Sequence, residues 1–328
     1  MQFIKTFFLT LFTTLFFSHA SVSSNQDKES FDKFIVNFAK TKLTKKYNKE
    51  LVKGFLNNTK FIKRVVELDR SQPEFKLTLN QYLNKVVTKT RIKKAKKKYK
   101  ENYQILKKIG NFYKVQPRFI VALWGIETDF GRVGGYFPVV SSIATLVYDG
   151  RRAKYFEKEL FHALKIIEQG HIKMKNMKGS WAGAMGQCQF MPSSFVKYAV
   201  DWNKDNKKDI WNTKMDVFAS ASNYLKSVNW NYNQTWGRKV YFKNKYNFLN
   251  KKKWYYLSKW SEFGLANSDQ TQLPAVKIKA RLIIPKNSKN YGYLVYSNFE
   301  SLLNWNRSNF FGIAVGTLSD QLILPSKP

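Results

Sequence analysis

Cysteine is almost absent from this chain of 328 residues, in which Cys188 is the only one. An intramolecular disulfide and a cysteine-based metal cluster are therefore both excluded. Carboxylates are also scarce, with 22 Asp and Glu against 57 Lys and Arg, so the net charge is +35. Hydrophobic residues make up 44% of the sequence, which is enough for a sizeable core. The length is typical of about two or three domains.

Beyond the N-terminus, the sequence lacks a hydrophobic run long enough to cross a membrane. The N-terminus itself has the pattern of a secretory signal, with Lys5, an apolar run over residues 7–17, and small residues at Ser18 and Ala20. We therefore predict a signal peptide over residues 1–20 and an exported protein. A retained N-terminal anchor is the alternative. Because this region contains no cysteine, a lipoprotein anchor is excluded.

The excess of basic residues has several explanations. A polyanionic partner such as nucleic acid is one of them. The lysines, however, are spread along the whole chain beside abundant Asn, Phe, Tyr and Ile, which is typical of a compositional bias. The densest run, residues 91–100, has the length of one helix and is typical of a solvated face. We expect no nucleic-acid partner, whereas attraction to an acidic polymer such as a cell wall stays open.

Few glycines or prolines interrupt residues 28 to about 115, which predicts a helical region. Its first helix carries an apolar stripe that includes Phe31, Ile35 and Phe38. From about residue 236 the pattern changes to short alternating segments that predict strands, over residues 240–242, 275–285 and 293–296. Residues 310–324 are again typical of a helix. The sequence thus predicts a mainly α chain with a small β insertion before the last helix.

Glu127 lies on the apolar stripe of a predicted helix. Pro117 suits the first helical position, and Ile120, Trp124 and Glu127 recur at the spacing of one helical face. Gly131 can close the helix. The acid is therefore expected near the helix end, in register with the buried face.

A carboxyl group buried without a cation has a raised pKa, because burial disfavours its charged form. A carboxylic acid that keeps its proton near neutral pH is what cleavage of a glycosidic bond requires. The alternative is a structural ion pair at the helix end, between Glu127 and Arg132 or Arg118. The helical stripe by itself leaves both interpretations open.

A second motif is rich in glycine and amides, Gly179-Ser-Trp-Ala-Gly-Ala-Met-Gly-Gln-Cys-Gln-Phe-Met-Pro-Ser-Ser194. Gln187 and Gln189 offer hydrogen-bond donors and acceptors, and Trp181 and Phe190 offer ring faces on which a sugar can stack. Its three spaced glycines allow the backbone to approach a ligand or another part of the chain closely. Small-residue packing between helices would explain the same glycines.

These motifs together resemble the lytic murein transglycosylase B family, glycoside hydrolase family 103. The matching segments are Gly125-Ile-Glu-Thr-Asp-Phe-Gly131, Arg151-Arg-Ala-Lys-Tyr-Phe156 and the Gly-rich motif. Further matches are Asp69-Arg-Ser-Gln-Pro-Glu-Phe75 upstream, and Trp305-Asn-Arg-Ser308 and Ala314-Val-Gly316 downstream. The resemblance covers nearly all of the mature chain, in order, and it favours Glu127 as a catalytic acid over a helix-end ion pair.

The resemblance implies a mainly α, α+β fold, with a lysozyme-like α core, a helical N-terminal domain and a small β domain inserted before the C-terminal helix. We expect the helical domain over residues 21–110, the catalytic core over 111–232, the β domain over 233–300 and the C-terminal helix over 301–328. It also implies a soluble periplasmic monomer, without a transmembrane anchor, whose partner is the glycan strand of peptidoglycan.

The implied activity is cleavage of the β-1,4 bond between N-acetylmuramic acid and N-acetylglucosamine with formation of a 1,6-anhydro end. Most glycosidases use two carboxylates. In the implied reaction the sugar's own C6 hydroxyl attacks C1, so Glu127 alone can act first as acid and then as base. We read the nearby Asp129 and Asp149 as structural or solvated. No cofactor is required for this chemistry.

Other site residues follow from the resemblance one position at a time. The substrate-binding positions that match are Ser180, Gln189, Phe190, Arg151, Arg152, Tyr224 and Asn306. The arginine pair suits carboxylates of the glycan or its peptide stem, although a structural ion pair is the alternative. Trp305 and Phe311 stand where relatives often carry tyrosine, so the position of Phe311 has no hydroxyl with which to form a hydrogen bond.

A third constellation follows the ligand spacing of an EF-hand loop. The candidate metal ligands are Asp201, Asn203, Asp205, Lys207 through its carbonyl, and Asp216, the last implied by the resemblance. Asn206 replaces the usual glycine and tolerates a left-handed backbone, and Asn212 replaces the usual bidentate glutamate. We expect a structural calcium ion; the alternative is an Asx-rich turn without metal.

Two other functions stay open beside the transglycosylase. A muramidase would deliver water to the same intermediate and leave reducing ends. A catalytically silent protein that binds the cell wall would need no acid, and the presence of Glu127 argues against it.

Overall fold

The computed structural model describes residues 25–71, 77–243, 253–286 and 288–322. The predicted signal peptide and the end of the C-terminal tail lie outside these residues. The described chain is mainly helical. Its helices are α1 (Asn25–Phe38), α2 (Lys49–Asn58), α3 (Lys63–Arg70), α4 (Leu79–Val86), α5 (Lys89–Glu101), α6 (Tyr103–Tyr113), α7 (Pro117–Thr128), α8 (Val139–Asp149), α9 (Ala153–Glu168), α10 (Pro192–Tyr198), α11 (Lys214–Ser227), α12 (Leu257–Glu262), α13 (Ser297–Trp305) and α14 (Asn309–Asp320).

The strands are short and pair in two antiparallel groups. They are β1 (Phe137–Pro138), β2 (Lys178–Gly179), β3 (Gly237–Phe242), β4 (Tyr255–Tyr256), β5 (Leu265–Asn267), β6 (Lys279–Ile283) and β7 (Tyr291–Val295). The strand β1 pairs with β2, and the others form a sheet in the order β4-β6-β7-β3-β5. One π-helical turn, Ala39–Leu43, follows α1 directly.

Local sequence explains where several helices begin. The side chains of Asn48, Thr78, Thr88 and Ser308 accept hydrogen bonds from backbone N–H groups in the first turns of α2, α4, α5 and α14. Each such cap stabilises its helix by about 1 kcal/mol. The predicted proline start is confirmed, because α7 begins at Pro117, and α10 likewise begins with a proline, Pro192.

The chain divides into two compact units. The Glu127 unit comprises Leu9–Glu74 and Glu127–Ala221, and the sheet unit comprises Phe75–Ile126 and Ser222–Pro328, together with the first residues of the chain. The domain boundaries expected from the sequence stay predictions.

In the Glu127 unit, α1 covers the hydrophobic helix α8 with aromatic rings. The stripe predicted on α1 is confirmed, since Phe31, Ile35 and Phe38 are buried. The ring of Phe31 meets that of Tyr148 edge-on, with centroids 5.4 Å apart. Residues 139–147 of α8 are all buried. This core holds the segments that carry Glu127 and the Gly-rich motif.

In the sheet unit, one face of the five-stranded sheet packs on α12. Val240, Phe242, Leu282, Leu294 and Trp260 belong to its buried cluster. The sequence-predicted strand over residues 275–285 is partly wrong, because β6 begins only at Lys279. The N–H groups of Val276 and Ile278 bond to carbonyls only two residues back, so neither N–H joins the sheet, and Val276 is exposed.

The helices of the described segments are either too short or too polar for a bilayer span, so none is a candidate for crossing a membrane.

Candidate active site

Glu127 sits one residue before the end of α7. Ile120 and Trp124 on the same helical stripe are buried, and Glu127 itself is half-buried. The helix and the stripe predicted from the spacing are therefore both confirmed. The raised pKa expected for the Glu127 carboxyl stays a prediction.

Both arginines considered as ion-pair partners of Glu127 pair with other carboxylates. The Nε of Arg132 donates to Asp129 Oδ2 at 2.6 Å. The Nη1 of Arg118 donates to Asp320 Oδ1 at 2.9 Å, within the sheet unit. Arg132 and Arg118 thus form ion pairs with carboxylates other than that of Glu127.

A left-handed turn follows Glu127 directly. Asp129 and Phe130 have φ values of 50° and 63°, and Gly131 has φ of 82°. Two consecutive non-glycine residues in this region cost roughly 1–2 kcal/mol each. A Cβ on Gly131 would lie 2.3 Å from Oε1 of Gln187, so glycine is required there. In this conformation the turn after α7 lies against Gln187 of the Gly-rich motif.

The hydroxyl of Thr128 fixes this contact. It accepts a hydrogen bond from the N–H of Gly131 at 3.1 Å and donates one to the carbonyl oxygen of Gln187 at 3.1 Å. Thr128 is buried. Sequence reasoning missed this residue, and its position next to Glu127 was the only signal available.

The glycines of the second motif serve packing. A Cβ on Gly179 would lie 2.1 Å from the carbonyl oxygen of Ala184, and one on Gly186 would lie 2.6 Å from that of Ile210. A Cβ on Gly183 would lie 2.7 Å from side-chain atoms of Ile143. Of the two explanations that the sequence left open, the structure therefore favours close packing of the protein on itself.

The polar side chains of the Gly-rich motif differ in how far protein hydrogen bonds occupy them. The Nε2 of Gln189 donates to the carbonyls of Gly186 and Gly134, at 2.9 and 3.1 Å, and within the described residues its carboxamide oxygen accepts no hydrogen bond. The Oγ of Ser180 accepts from the N–H of Ala184 at 3.0 Å. Phe190 is buried, at 2% exposure. The amide of Gln189 is thus the group most ready to meet a ligand.

Cys188 is a buried thiol within the Gly-rich motif. Burial raises the pKa of its thiol above the usual range, and the charges of Glu127 and Asp216 add to the effect. The only cysteine is 3% exposed and its Sγ contacts the carbonyl oxygen of Val217 at 3.4 Å. It acts as an inert packing residue between Glu127 and the Asp-rich loop.

The arginine pair converges on Asp69, whose side chain is 1% exposed. Arg152 Nη2 donates to Asp69 Oδ1, and Arg151 Nη1 donates to the Asp69 carbonyl oxygen at 2.6 Å. The side chain of Arg151 is half exposed, and the Nε of Arg152 is buried without a hydrogen-bond partner. The structural ion pair left open by the sequence is therefore present, and Arg151 still reaches solvent.

Two predicted substrate residues lie in the sheet unit. The hydroxyl of Tyr224 donates to the carbonyl oxygen of Asn304 at 2.7 Å, and its ring meets that of Trp305 edge-on. Asn306 is buried, and its Oδ1 accepts the N–H of Ser308 at 3.1 Å. Phe311 is buried as well.

Asp129 and Asp149 are the first two carboxylates that follow Glu127 in the sequence, and both form ion pairs. Asp129 pairs with Arg132, and Asp149 accepts from Arg70 Nη2 at 2.5 Å. Their side chains are 13% and 6% exposed. These contacts support the structural reading of both residues.

The Asp-rich loop is held by its own backbone. Asp201 accepts the N–H groups of Asp205 and Asn206 at 3.2 and 2.8 Å. Asp216 accepts those of Trp202 and Asp209, both at 2.8 Å. Asn206 has φ of 67°, as expected for the position that glycine usually holds. The predicted ligand residues thus share one folded loop.

The charges of this loop bear on whether a cation fits. Burial raises the pKa of Asp216, and the charges of Asp201 and Asp205 raise it further, against the N–H groups that lower it. A side-chain hydrogen bond from Asn203 lowers the pKa of the exposed Asp205. An all-oxygen donor set with repelling carboxylates suits a hard cation in its chemistry. Among the described residues, however, no three acidic, His or Cys side chains converge as a metal-holding group.

Comparisons with known proteins cover most of the chain. The family model described as Transglycosylase SLT domain matches residues 30–320. The membrane-bound lytic murein transglycosylase B of Escherichia coli (strain K12) is 36% identical over 151 residues, which are 46% of this chain and 42% of that protein. The alignment thus spans less than half of the curated relative.

Solved structures are also similar. SltB3 from Pseudomonas aeruginosa, in complex with NAG-anhNAM-pentapeptide, matches with a TM-score of 0.85 and 32% identity over 89% of this chain and 79% of that one. Escherichia coli Slt35 in complex with calcium matches with a TM-score of 0.74 and 27% identity, over 90% of this chain and 93% of that one. These matches confirm the expected fold class, a mainly helical, lysozyme-like transglycosylase fold with small antiparallel sheets.

Proposed function

Because the chain belongs to the transglycosylase SLT domain family, we propose that it is a lytic transglycosylase of peptidoglycan. It would cleave the bond between N-acetylmuramic acid and N-acetylglucosamine and leave a 1,6-anhydromuramic acid end. The observation that carries this proposal is the structural match to SltB3, whose bound ligand contains an anhydro sugar.

Glu127 is the residue to which we assign the proton transfers. As an acid it gives its proton to the leaving glycosidic oxygen, and the resulting carboxylate then takes the proton of the C6 hydroxyl as that oxygen attacks C1. The proton balance closes on one residue, and no water enters. The strained turn and the Thr128 hydroxyl hold Glu127 against the Gly-rich motif, which supplies the fixed geometry that such a transfer needs.

The ion pairs around the site favour this reaction over hydrolysis. Most glycoside hydrolases use a second carboxylate, as nucleophile or to activate water. Asp129 and Asp149 are bound by Arg132 and Arg70. A mechanism in which the substrate supplies its own nucleophile needs neither of them.

We assign the substrate contacts residue by residue. The carboxamide oxygen of Gln189 would accept from a sugar hydroxyl or amide, and Ser180 would contribute its hydroxyl. The exposed part of Arg151 would meet a carboxylate, while Arg152 supports it through Asp69. Phe190, which is buried, would contribute through packing. Tyr224 and Asn306, which belong to the sheet unit, stay predicted substrate contacts.

Product analysis tests the proposal. Isolated sacculi would be digested with the parent protein, with Glu127→Gln, and with Glu157→Gln as a control for the same chemical change at a surface acid. We expect anhydro ends from the parent and the control, and none from Glu127→Gln. Reducing muramic acid ends without anhydro ends would identify a muramidase. If the parent binds sacculi but releases nothing, the wall-binding alternative is right.

We place the protein in the periplasm, since that is where an exported protein meets peptidoglycan. The apolar run over residues 7–17 supports export. N-terminal sequencing of protein recovered from the periplasm tests this, and we expect the chain to begin at or near residue 21. A chain that keeps Met1 in the membrane fraction would mean that the segment is a retained anchor.

A structural calcium ion is a further part of the proposal. Asp201, Asp205 and Asp216 would hold it with the side-chain oxygen of Asn203 and the carbonyl of Lys207. Because the three carboxylates do not converge as a metal-holding group in this structure, they would have to draw together around the ion, which would offset their repulsion. Slt35, whose structure contains calcium, supports this assignment. The chemistry at Glu127 would not use the ion.

Thermal melting with calcium and with a chelator tests the ion independently of activity. We expect calcium to raise the melting temperature of the parent and not that of Asp205→Asn. Asp269→Asn is the matched control, because Asp269 is also an exposed acid that accepts hydrogen bonds from a turn, here from Thr271. If calcium leaves the parent unchanged, the loop is an Asx-rich turn without metal.

A further inference from the structure

The helix α5 concentrates the charge of the chain. Its 13 residues, KTRIKKAKKKYKE, contain seven lysines, one arginine and a single glutamate. Ala95 and Tyr99 are buried and attach the helix to the sheet unit. The opposite side is exposed to solvent. The site assigned to Glu127 makes no use of this helix.

The exposed lysines lie on one side of the helix. They are Lys89, Lys93, Lys96, Lys97 and Lys100, which we call the lysine face. At about 100° per residue these positions fall within an arc of about 100°, and they extend over about 17 Å of helix. The face is therefore a compact strip of positive charge.

Acidic residues do not neutralise the lysine face. Glu101 pairs with Lys98 at 2.8 Å and, more weakly, with Lys97 at 3.8 Å. Within the described part of the chain, Lys93, Lys96 and Lys100 form no ion pair. Keeping like charges this close is unfavourable for the helix. An array of flexible point charges suits many phosphates spread over a surface better than one ligand held by bidentate contacts.

The next helix of the same unit carries an exposed apolar group beside lysines of its own. Phe112 on α6 is 62% exposed, one helical turn after the exposed Lys108 and two residues before the exposed Lys114. An aromatic ring among lysines is typical of protein surfaces that rest on a bilayer interface, where the ring enters the headgroup region and the lysines meet the phosphates. A sugar of the cell wall can also stack on such a ring, so binding to sacculi is the outcome that the test below must separate from binding to a bilayer.

We propose that the lysine face of α5, together with Phe112, binds the surface of an anionic phospholipid bilayer. The binding is peripheral and reversible. Each lysine near such a surface contributes about 1 kcal/mol, which is roughly fivefold in partition. An enzyme attached this way would stay near the membrane without a spanning helix, and this inference does not depend on the reaction assigned to Glu127.

Vesicle co-sedimentation tests the proposal with two quadruple variants of the full chain. The face variant is Lys89→Gln, Lys93→Gln, Lys96→Gln and Lys100→Gln. The control variant is Lys45→Gln, Lys49→Gln, Lys53→Gln and Lys60→Gln, which changes exposed lysines of the other unit and loses the same charge. Glutamine keeps the helical propensity of lysine, and circular dichroism verifies that both variants fold.

The measured quantity is the gain in binding when phosphatidylglycerol is added to phosphatidylcholine vesicles. The apolar run over residues 7–17 is the same in every variant and contributes equally to both vesicle types. We expect the face variant to lose at least about tenfold of this gain, and the control variant to keep most of it, with a steep decrease in salt. Phe112→Ser should weaken the binding that remains at high salt, whereas Val36→Ser should not.

Three results would overturn the proposal. The parent could show no gain on anionic vesicles. The face and control variants could lose the gain equally, which would make it an effect of net charge alone. Finally, the face variant could bind vesicles normally and lose binding to isolated sacculi or to single-stranded nucleic acid, which would assign the face to another polyanion.

Discussion

The hydroxyl of Thr128 donates a hydrogen bond to the carbonyl oxygen of Gln187 at 3.1 Å. The same hydroxyl accepts the N–H of Gly131 at 3.1 Å. Because Thr128 directly follows Glu127 and is 1% exposed, one buried group joins the end of α7, the left-handed turn and the Gly-rich motif. The position of the proposed catalytic acid therefore depends on a residue that performs no chemistry.

Thr128→Val removes the hydroxyl and keeps the shape of the side chain. It leaves a carbonyl and an N–H without a partner, so we expect the free energy of unfolding to decrease by about 2 kcal/mol. We also expect the turnover of sacculi to decrease by roughly tenfold, because Glu127 is no longer held in place. Thr128→Ser, which retains the hydroxyl, should recover most of both. Parent-like turnover of the valine variant would limit Thr128 to a structural role.

Asp69→Asn removes the charge that Arg151 and Arg152 share. Since Asp69 is buried and Arg152 is partly so, we expect a loss of about 3 kcal/mol in the free energy of unfolding by denaturant. Glu157→Gln breaks the more exposed pair with Lys42 and should cost less than about 1 kcal/mol. Equal small losses for both variants would mean that the arginine pair is not structural and is kept for substrate.

Helical spacing predicted the parts of the site that depend on the nearest neighbours in the chain. The preference of proline for the first helical position predicted that α7 starts at Pro117. The helical period of 3.6 residues predicted the stripe through Trp124 to Glu127. The resemblance to a known family supplied the remaining site residues by position. It gave no information on which groups those residues touch.

Long-range partners could not be predicted, because they depend on how distant segments meet. The pairing of Asp69 with Arg152 joins residues 83 positions apart. The strand predicted over residues 275–285 was partly wrong for a related reason. Alternation of Val276 and Ile278 with lysines gives a strand only if a neighbouring strand accepts their N–H groups. Here carbonyls two residues back in the chain accept those N–H groups instead. The alternating sequence pattern would be the same whether this stretch paired with a strand or formed local turns.

Gly134 and Gly135 provide a matched pair of substitutions. A Cβ on Gly135, where φ is 89°, would lie 2.2 Å from the backbone carbonyl of Gly179, whereas one on Gly134 would meet nothing within 4 Å. We expect Gly135→Ala to lower the free energy of unfolding by at least about 2 kcal/mol, since backbone cannot move aside cheaply. Gly134→Ala should stay within about 0.5 kcal/mol of the parent. Similar melting temperatures for the two variants would contradict the close approach of β1 to β2.

His171 makes stability depend on pH near neutrality. Burial lowers the pKa of its imidazole from 6.5, the charge of Lys208 lowers it further, and Asp201 opposes both. Its Nδ1 accepts the N–H of Lys208 at 3.2 Å, which requires the neutral ring. The folded state therefore releases the proton more readily than the unfolded state.

The sign of the pH dependence follows from this order of pKa values. Above pH 6.5 the ring is neutral in both states and stability is full; as the pH falls from there through the lowered pKa, the unfolded state takes up a proton first and stability decreases. We expect the melting temperature of the parent to decrease between about pH 7 and pH 5, and His171→Gln to reduce that slope. The same substitution at His162 should leave the slope of the parent in place. If His171→Gln and the parent have equal slopes, the pH dependence comes from other groups and His171 does not contribute to it.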